Sequence, residues 1–183
     1  EEYGGLGMGF VSTMLVCDYI SSGSGSISTA FGAHTGIGTM PILFYGTEEQ
    51  KKKYLPKLSS GEWFGAYCLT EPNAGSDANS GKTTAELTSD KKYYKINGQK
   101  MWISNAGFAK LFIVFARIEN DKNISAFIIE KDENNGMAWW DWPVEERDCL
   151  EDAIRQAKSR LQQSIEETQY QQFIFFKQWL AVK

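Results

Sequence analysis

The spacing of apolar residues changes once, near Gly61, and this change constrains the fold of the chain more than any other feature. Residues 10–58 show helical patterns, whereas the later apolar runs are short and rich in β-branched and aromatic residues. Helices grouped ahead of strands are typical of α+β proteins. We expect N-terminal helices, then an antiparallel β-barrel-like module, then a C-terminal amphipathic helical tail.

Three helices are expected in the first part of the chain. Residues 10–20 are mostly apolar and predict a buried helix. A less regular helix is predicted over about 28–45, with Pro41 limiting or kinking it. Thr47 and Gln50 have the spacing of a capping box, so a third helix should begin there.

The β-module is expected to contain several strands and one tight hairpin. Asn97 and Gly98 stand between two strand-like runs, which is the strongest short hairpin signal. An antiparallel module follows from this reading. The predicted strands are residues 63–69, 93–96, 99–103, 111–116 and 125–129.

The composition of the chain changes abruptly near Gly136. All 17 glycines lie at or before that residue, and four of the six tryptophans follow it. We interpret this as three segments: a partial helical domain over 1–60, a β-domain over 61–137 and a helical tail of different origin over 138–183. A domain boundary within one natural protein is the alternative that composition leaves open.

Charge and cysteine content exclude several classes of protein. A net charge of -4 gives no reason to expect nucleic acid or an anionic membrane as a partner. The three cysteines are odd in number and form no CxxC pair, which argues against disulfides or zinc. The single histidine, His34, leaves no cluster for a metal and is expected to be structural. The sequence shows neither a membrane-length apolar run nor a signal-peptide pattern.

The loop after the first predicted strand carries the clearest chemistry. The strand should end at Thr70, and the small, polar residues of 72–77 follow it. Gly75 permits unusual backbone angles, so a ligand can approach the main chain closely. Backbone N–H groups and the hydroxyls of Thr70 and Ser76 are donors suited to a phosphate-bearing ligand. A polar loop without a ligand is the alternative from these residues alone.

Two blocks of sequence resemble one family. Residues 68–80, Cys-Leu-Thr-Glu-Pro-Asn-Ala-Gly-Ser-Asp-Ala-Asn-Ser, resemble the first signature of the acyl-CoA dehydrogenases. Residues 97–105, Asn-Gly-Gln-Lys-Met-Trp-Ile-Ser-Asn, resemble the second conserved block of that family at the expected separation. Residues 2–7 and 46–56 resemble its helical part in the right order. The resemblance covers about residues 1–137.

The resemblance implies that this part of the chain binds FAD. Tyr67, Leu69 and Thr70 would meet the pyrimidine edge of the flavin, where donors stabilise the reduced ring. Trp102 would lie against the flavin face and exclude water, and the Ser104 hydroxyl would approach flavin N5. The full set of cofactor-binding candidates is Tyr67, Cys68, Leu69, Thr70, Gly75, Ser76, Trp102, Ile103 and Ser104. Ser76 is also the candidate for binding the acyl-CoA substrate.

The family's reaction is the α,β-dehydrogenation of an acyl-CoA thioester to trans-2-enoyl-CoA, after which an electron-transfer flavoprotein takes the electrons. Its members are homo-oligomers of the bacterial cytoplasm or the mitochondrial matrix. Its catalytic glutamate belongs to a C-terminal helical domain, whereas the resemblance ends near Met137 and the family's first helices should precede Glu1. We therefore assign no catalytic residue, Glu71 included, and expect this chain alone to bind FAD weakly and to be inactive.

The tail carries a second, less specific resemblance. Residues 139–143 and 172–183 resemble a helical stretch of the 4-α-glucanotransferases, without any of their catalytic carboxylates. Two alternatives to the dehydrogenase interpretation therefore stay open: a non-catalytic relict of the flavin fold with a helical interaction tail, or a glucanotransferase piece represented by the tail. The tail's apolar stripe is Leu150, Ile154, Ala157, Leu161 and Ile165.

Overall fold

The computed structural model describes residues 1–119 and 121–131. The predicted tail of residues 138–183 and the junction near Met137 lie outside this part. The helices are α1 (Phe10–Gly23), α2 (Gly25–Gly32), a π-helix (Ala33–Gly38), α3 (Met40–Tyr45) and α4 (Glu48–Ser59). The strands are β1 (Gly65–Cys68), β2 (Thr84–Leu87), β3 (Tyr94–Asn97), β4 (Leu111–Ile118) and β5 (Ile124–Glu130), with a short 3-10 turn at Ala78–Ser80.

Helix α1 is exposed, so the prediction of a buried helix was wrong. Phe10 and Val11 are 78% and 81% exposed, and Ile20 is the buried residue of this helix. Ile20 packs with Phe31 of α2 in a small cluster of its own. The sequence is apolar around most of α1, and composition alone does not tell which side finds a partner.

The single helix predicted over 28–45 is three successive pieces. The Ser24 hydroxyl accepts the Ile27 N–H at 3.4 Å and caps the start of α2. The π-helix Ala33–Gly38 follows directly, and α3 begins afterwards with Pro41 in its first turn. A proline is tolerated there because the first N–H groups of a helix have no partner within it.

The predicted capping box at the start of α4 is confirmed. The Gln50 N–H donates to Thr47 Oγ1 at 3.3 Å, and the Thr47 N–H donates to Gln50 Oε1 at 2.9 Å. Two N–H groups at the helix end are satisfied in this way. The buried face of α4 then places Leu55 and Leu58 against the sheet.

The sheet is mixed, which corrects the expected antiparallel module. Strand β4 pairs parallel with both β1 and β2, whereas β5 pairs antiparallel with β4 and β3 antiparallel with β2. The reason is that β4 takes its partners from distant parts of the chain, which no local turn specifies. Within the described residues, β3 pairs with β2 and β5 with β4, so the barrel-like closure stays a prediction.

Strands β1 and β2 lie end to end along the same edge of β4. Strand β5 takes the other edge, from Leu111 through Arg117. On the shared edge, Cys68 of β1 is opposite Val114, and Thr84 of β2 is opposite Arg117. The chain therefore leaves this edge after β1, runs through residues 69–83 and returns to it. Those residues contain the first motif, which the sheet thus presents as a loop.

The predicted hairpin at Asn97 and Gly98 is wrong. Strand β3 pairs with β2, and residues 99–103 form no strand. Asn97 keeps a negative φ, whereas a type I′ turn requires positive φ at both central residues. Gly98 instead packs on Thr83, because a Cβ at Gly98 would lie 2.4 Å from Thr83 Oγ1. The glycine serves close approach between two segments here, not chain reversal.

Strand β4 is the centre of the core and is buried on both faces. Leu111 and Ile113 pack with Ile42 of α3 and with the apolar face of α4. Phe112 and Val114 point to the opposite face. There they pack with Ala66, Cys68 and Ala109, and with the partly buried Ile96, Ile103, Ala106 and Ile129.

Candidate functional site

The π-helix lies directly on strand β1 through a contact between two glycines. A Cβ at Gly38 would be 2.9 Å from the Gly65 carbonyl carbon, and a Cβ at Gly65 would be 3.1 Å from Gly38. No side chain larger than hydrogen fits at either position without a backbone shift. This contact brings Ala33 and Ile37 of the π-helix over the end of β1.

His34 fixes the same helix from within the core. It is 3% exposed, and its Nδ1 accepts the Gly65 N–H at 3.1 Å. Its Nε2 lies 3.1 Å from the Leu58 carbonyl oxygen, so the neutral tautomer with a proton on Nε2 satisfies both contacts. Burial lowers the pKa of His34 below its ordinary value. These contacts agree with the structural role expected for this residue.

The second motif block returns to the end of β1 and lies beside it. The Met101 N–H donates to the Thr70 carbonyl oxygen at 3.0 Å. Trp102 then takes a left-handed conformation, with φ of 58°, and its side chain is 84% exposed. Such a conformation is rare for a bulky residue and costs on the order of 1–3 kcal/mol. A strained and exposed tryptophan points to a function outside the core.

Asn105 anchors the far end of this segment. It is buried, with φ of 69°, and its Nδ2 donates to the Ala30 carbonyl oxygen at 2.9 Å and to the Gly65 carbonyl oxygen at 3.2 Å. Asparagine tolerates the left-handed region better than most residues. The segment that carries Trp102 is therefore tied to both α2 and β1.

These elements form one cleft of about 170 Å³. Its lining combines the end of β1, the second motif block and the π-helix. The lining residues are Ala33, Ile37, Tyr67, Leu69, Thr70, Trp102, Ile103 and Ser104. Six of the nine cofactor-binding candidates are thus brought together. The other two lining residues, Ala33 and Ile37, were not predicted, because the irregular π-helix has no recognisable sequence period.

The lining suits one side of a flat ring system with a polar edge. Trp102 offers an exposed aromatic face, and Ile37 and Tyr67 offer further apolar surface. Thr70 and Ser104 add hydroxyl groups, and neither side chain forms a hydrogen bond with another residue of 1–119 or 121–131. A complete small-molecule site usually encloses roughly 300–1,000 Å³. The cleft of about 170 Å³ is therefore smaller than a complete site and open on one side.

Three candidates lie elsewhere. The Cys68 side chain is 6% exposed in the core on the other face of β1, and burial raises the pKa of its thiol to about 12. Any contact with a cofactor can therefore involve only its backbone. Gly75 and Ser76 are exposed on the loop and do not line the cleft. Their contact with a phosphate-bearing ligand stays a prediction.

Glu71 sits beside the cleft and is already fully engaged. Its Oε1 accepts from Lys100 Nζ at 2.7 Å and from the Thr83 N–H at 3.1 Å, and its Oε2 accepts the Lys82 N–H. Burial raises the pKa of this carboxyl, but the hydrogen bonds from Lys100, Thr83 and Lys82 outweigh burial and bring it down to about 2. A carboxylate held in this way is a poor proton acceptor near neutral pH.

The sequence reasoning missed the roles of Lys100 and Asn105. Both lie inside the second motif block, so the resemblance contained them without giving them a role. The signal for Asn105 is its residue type, since asparagine is enriched in the left-handed region. The signal for Lys100 is weaker: a lysine close to a buried strand end needs a counterion.

Two searches of the described residues complete the description of the site. In residues 1–119 and 121–131, no group of three or more His, Cys, Asp or Glu side chains is placed to hold a metal ion. Within the same residues, no helix has both the length and the apolar character needed to cross a membrane.

The structure is that of an α+β protein, with helices fixed to a mixed sheet and a strained, exposed tryptophan at the edge of an open cleft. Two models of one family match this chain: the acyl-CoA dehydrogenase N-terminal domain over residues 1–62 and its middle domain over residues 66–146. The chain belongs to the acyl-CoA dehydrogenase family. The second match includes nine residues, 138–146, that we assigned to the tail.

Individual relatives agree with this assignment. A probable acyl-CoA dehydrogenase of Bacillus subtilis is 53% identical over 132 residues, which cover 72% of this chain and 22% of the relative. The FAD complex of an acyl-CoA dehydrogenase from Bacillus anthracis has a TM-score of 0.69 at 51% identity, over 72% of this chain and 23% of that one. An electron transferring flavoprotein structure from Acidaminococcus fermentans has a TM-score of 0.66 at 41% identity, over 71% of this chain and 34% of that one. This chain therefore spans about a fifth to a third of the length of these proteins.

Proposed function

We propose that this chain forms one wall of the FAD and acyl-CoA site of an acyl-CoA dehydrogenase. The reaction is the removal of hydrogen from the α and β carbons of an acyl-CoA thioester, giving trans-2-enoyl-CoA. One observation carries the proposal: both motif blocks converge on a single cleft, at whose edge Trp102 is exposed and backbone-strained. The relative from Bacillus anthracis was solved with FAD, which supports the choice of cofactor.

The lining residues have separate tasks in this proposal. FAD, when bound, supplies the acceptor for the hydride that leaves the β carbon. Thr70 Oγ1 and backbone groups at Tyr67 and Leu69 donate to the polar edge of the ring and stabilise negative charge there. Trp102 covers one face and excludes water, and Ser104 Oγ donates near the reacting nitrogen. The backbone of Cys68 and the Ile103 side chain support the two sides of this wall.

The loop after β1 is proposed to hold the extended part of the ligands. Gly75 and Ser76 are exposed there, and glycine leaves the main chain open to a bulky anion. In this proposal Ser76 lies where the FAD diphosphate and the acyl-CoA both pass, and its hydroxyl donates a single hydrogen bond there. Replacing Ser76 with Ala should therefore weaken ligand binding without changing the fold.

No catalytic base is assigned within residues 1–119 and 121–131. Glu71 is buried and ion-paired, its two carboxylate oxygens accept from Lys100, Thr83 and Lys82, and its pKa is lowered to about 2. We propose that the base comes from outside this wall, and that the 183-residue chain alone does not oxidise acyl-CoA. Turnover of any acyl-CoA with an electron-accepting dye would contradict this. The proposed electron acceptor is an electron-transfer flavoprotein, in the bacterial cytoplasm or the mitochondrial matrix.

Flavin titration of the purified chain tests the proposal. Added FAD should show a shifted visible spectrum and quenched fluorescence, with weak affinity because the opposite wall is not part of the described cleft. Trp102→Ala should weaken this binding about two- to twelvefold, since an aromatic contact contributes roughly 0.5–1.5 kcal/mol. Tyr93→Ala is the matched control, because Tyr93 is an exposed aromatic residue away from the cleft. Equal losses in both variants, or no spectral shift, would count against the flavin site.

A relict flavin fold acting as an interaction module is the second candidate. Its support is the apolar surface of α1, where Phe10, Val11, Leu15 and Tyr19 are each more than half exposed. Exposed apolar patches of this kind often mark contacts with other proteins. A colourless protein that cannot be reconstituted with FAD would favour this candidate.

The three-part organisation is also proposed. Residues 1–60, 61–137 and 138–183 remain our assignment, with the tail of 4-α-glucanotransferase origin and helical. Reading the gene across the codons for Gly136 to Trp139 from an intact clone is the direct test. An uninterrupted family sequence well past residue 146 would remove the case for a separate tail.

A further inference from the structure

The loop that presents the first motif closes through one buried carboxylate. The chain leaves the edge of β4 at the end of β1 and returns to that edge at β2. Glu71 lies at the start of the connecting loop. Its two oxygens accept the N–H groups of Lys82 and Thr83, just before β2 begins. Gly81 leaves room for this contact, because a Cβ there would be 3.0 Å from Glu71 Oε1. Glu71 thus joins the two ends of the loop.

The same carboxylate holds the second motif block through Lys100. Lys100 Nζ donates to Glu71 Oε1 at 2.7 Å and to the Leu69 carbonyl oxygen at 3.1 Å. Both side chains are largely buried, at 13% exposure for Lys100 and 7% for Glu71. Water competes little with an ion pair in such surroundings. The pair therefore connects the end of β1, the start of β2 and the second block at one point.

Lys100 lies two residues before the strained Trp102. Between them, the Met101 N–H donates to the Thr70 carbonyl oxygen at 3.0 Å. A left-handed tryptophan persists only if its flanks are fixed, because the strain is otherwise released by a change of backbone angles. Asn105 fixes the segment on the C-terminal side. Lys100 and Met101 are the corresponding anchors on the N-terminal side.

We infer that Glu71 and Lys100 are positioning residues of the cleft: their ion pair holds Trp102 in its left-handed conformation against the end of β1. Neither side chain lines the flavin-facing cleft, so both act through the backbone that they hold. The inference rests on the proposed flavin site for its functional consequence. Its structural part, the fixed backbone at Met101 and Trp102, is measurable without any ligand.

Hydrogen exchange of the full chain tests the structural part. Lys100→Met should raise the exchange rate of the Met101 amide about tenfold or more, because the bond to Thr70 loses its support. Lys92→Met is the matched control at an exposed lysine and should leave that rate unchanged. Amides of β4 report whether the fold persists. Unchanged exchange at Met101 in Lys100→Met would overturn the inference, whatever the flavin result.

Flavin titration of the same proteins tests the functional part. Lys100→Met should weaken FAD binding about tenfold, whereas Lys100→Arg, which keeps the charge in a bulkier side chain, should weaken it less. If Lys100→Met does not fold, the double variant Glu71→Gln, Lys100→Met removes both charges and replaces it in both experiments. Wild-type protein without flavin binding would refute the proposed function alone. If the wild-type protein binds FAD and the Lys100→Met or double variant binds it with the same affinity, the inference alone is refuted.

Discussion

The helical and sheet regions of this protein bury their apolar residues to very different extents. In β4, Leu111, Phe112 and Ile113 are between 0% and 1% exposed, because both faces of the strand are covered. In α1, Phe10 and Val11 are about four-fifths exposed. Helices α3 and α4 complete the core of the sheet region, whereas the few apolar residues that α1 and α2 bury form a small cluster of their own.

The largest expected effect is in the centre of the sheet. Phe112→Ala should lower the free energy of unfolding by about 3–5 kcal/mol, because it removes a fully buried ring and leaves a cavity. Phe10→Ala makes the same change at a 78% exposed position and should alter stability by no more than about 0.5 kcal/mol. Urea unfolding of both variants measures the difference. Similar losses would mean that α1 is as well packed as β4.

Acid should weaken the sheet region through Glu71. The pKa of this carboxyl is about 2 in the folded protein, against an ordinary value of 4.5 for a solvated glutamate in the unfolded chain. A lowered pKa stabilises the fold above pH 4.5, and the contribution of about 3 kcal/mol is lost progressively as pH falls towards 2. Unfolding curves between pH 5 and 2 measure this slope. Glu71→Gln should flatten it, and an unchanged slope in that variant would assign the acid sensitivity to other carboxylates.

The glycine contact between the two regions should tolerate no side chain. Gly38→Ala puts a Cβ 2.9 Å from the Gly65 backbone and should cost about 1–3 kcal/mol, because backbone cannot move aside cheaply. Gly36→Ala is the control in the same π-helix, where nothing lies within 4 Å of the new Cβ. We expect Gly36→Ala to be neutral or slightly stabilising in thermal unfolding. A loss at Gly36 equal to that at Gly38 would mean that the helix itself rejects the substitution.

The cap of α4 should have a smaller effect. Thr47→Ala removes the acceptor of the Gln50 N–H and should lower stability by about 1 kcal/mol, whereas Thr47→Ser keeps the acceptor. Chemical denaturation measures the difference between the two variants. Equal stability would show that the capping box adds nothing beyond the packing of α4 on the sheet.

The smallest effect is expected on the exposed face of α1. Val11→Ser should change the free energy of unfolding by less than about 0.5 kcal/mol, since Val11 is 81% exposed. It should nevertheless reduce self-association in light scattering, because exposed apolar surface promotes it. Val11→Leu keeps the apolar surface and serves as the control. A clear loss of stability in Val11→Ser would place Val11 in a packed interface.

Sequence reasoning succeeded where the determinants are local. The Thr47 and Gln50 spacing predicted the cap of α4, because both partners lie within one turn. Strands β1, β3, β4 and β5 were predicted from their β-forming residues. Strand β2 was missed, since Thr-Ala-Glu-Leu has no clear strand pattern. The pairing of β4 was not predictable, because its partners come from residues far apart in the chain.

The site was predicted through the resemblance, and its geometry was not. The resemblance indicated nine residues, and the structure brings six of them into one cleft: Tyr67, Leu69, Thr70, Trp102, Ile103 and Ser104. The local sequence pattern predicted a hairpin at Asn97 and Gly98. That prediction was wrong because Gly98 contacts Thr83, which belongs to a distant segment. The tie between Glu71 and Lys100 is of the same kind. Long-range contacts decided each of these outcomes.

The end-to-end arrangement of β1 and β2 has a consequence for the order of folding. Residues 65–87 leave the ribosome before residues 111–118, yet both strands need β4 as their parallel neighbour. Pairing at such sequence separation is slow, and unpaired strand edges are prone to aggregate meanwhile. A nascent chain that ends before Leu111 can form the β2 and β3 pair, but β1 has no partner strand until β4 is made. Translation speed across residues 88–118 should therefore influence how much chain reaches the folded state.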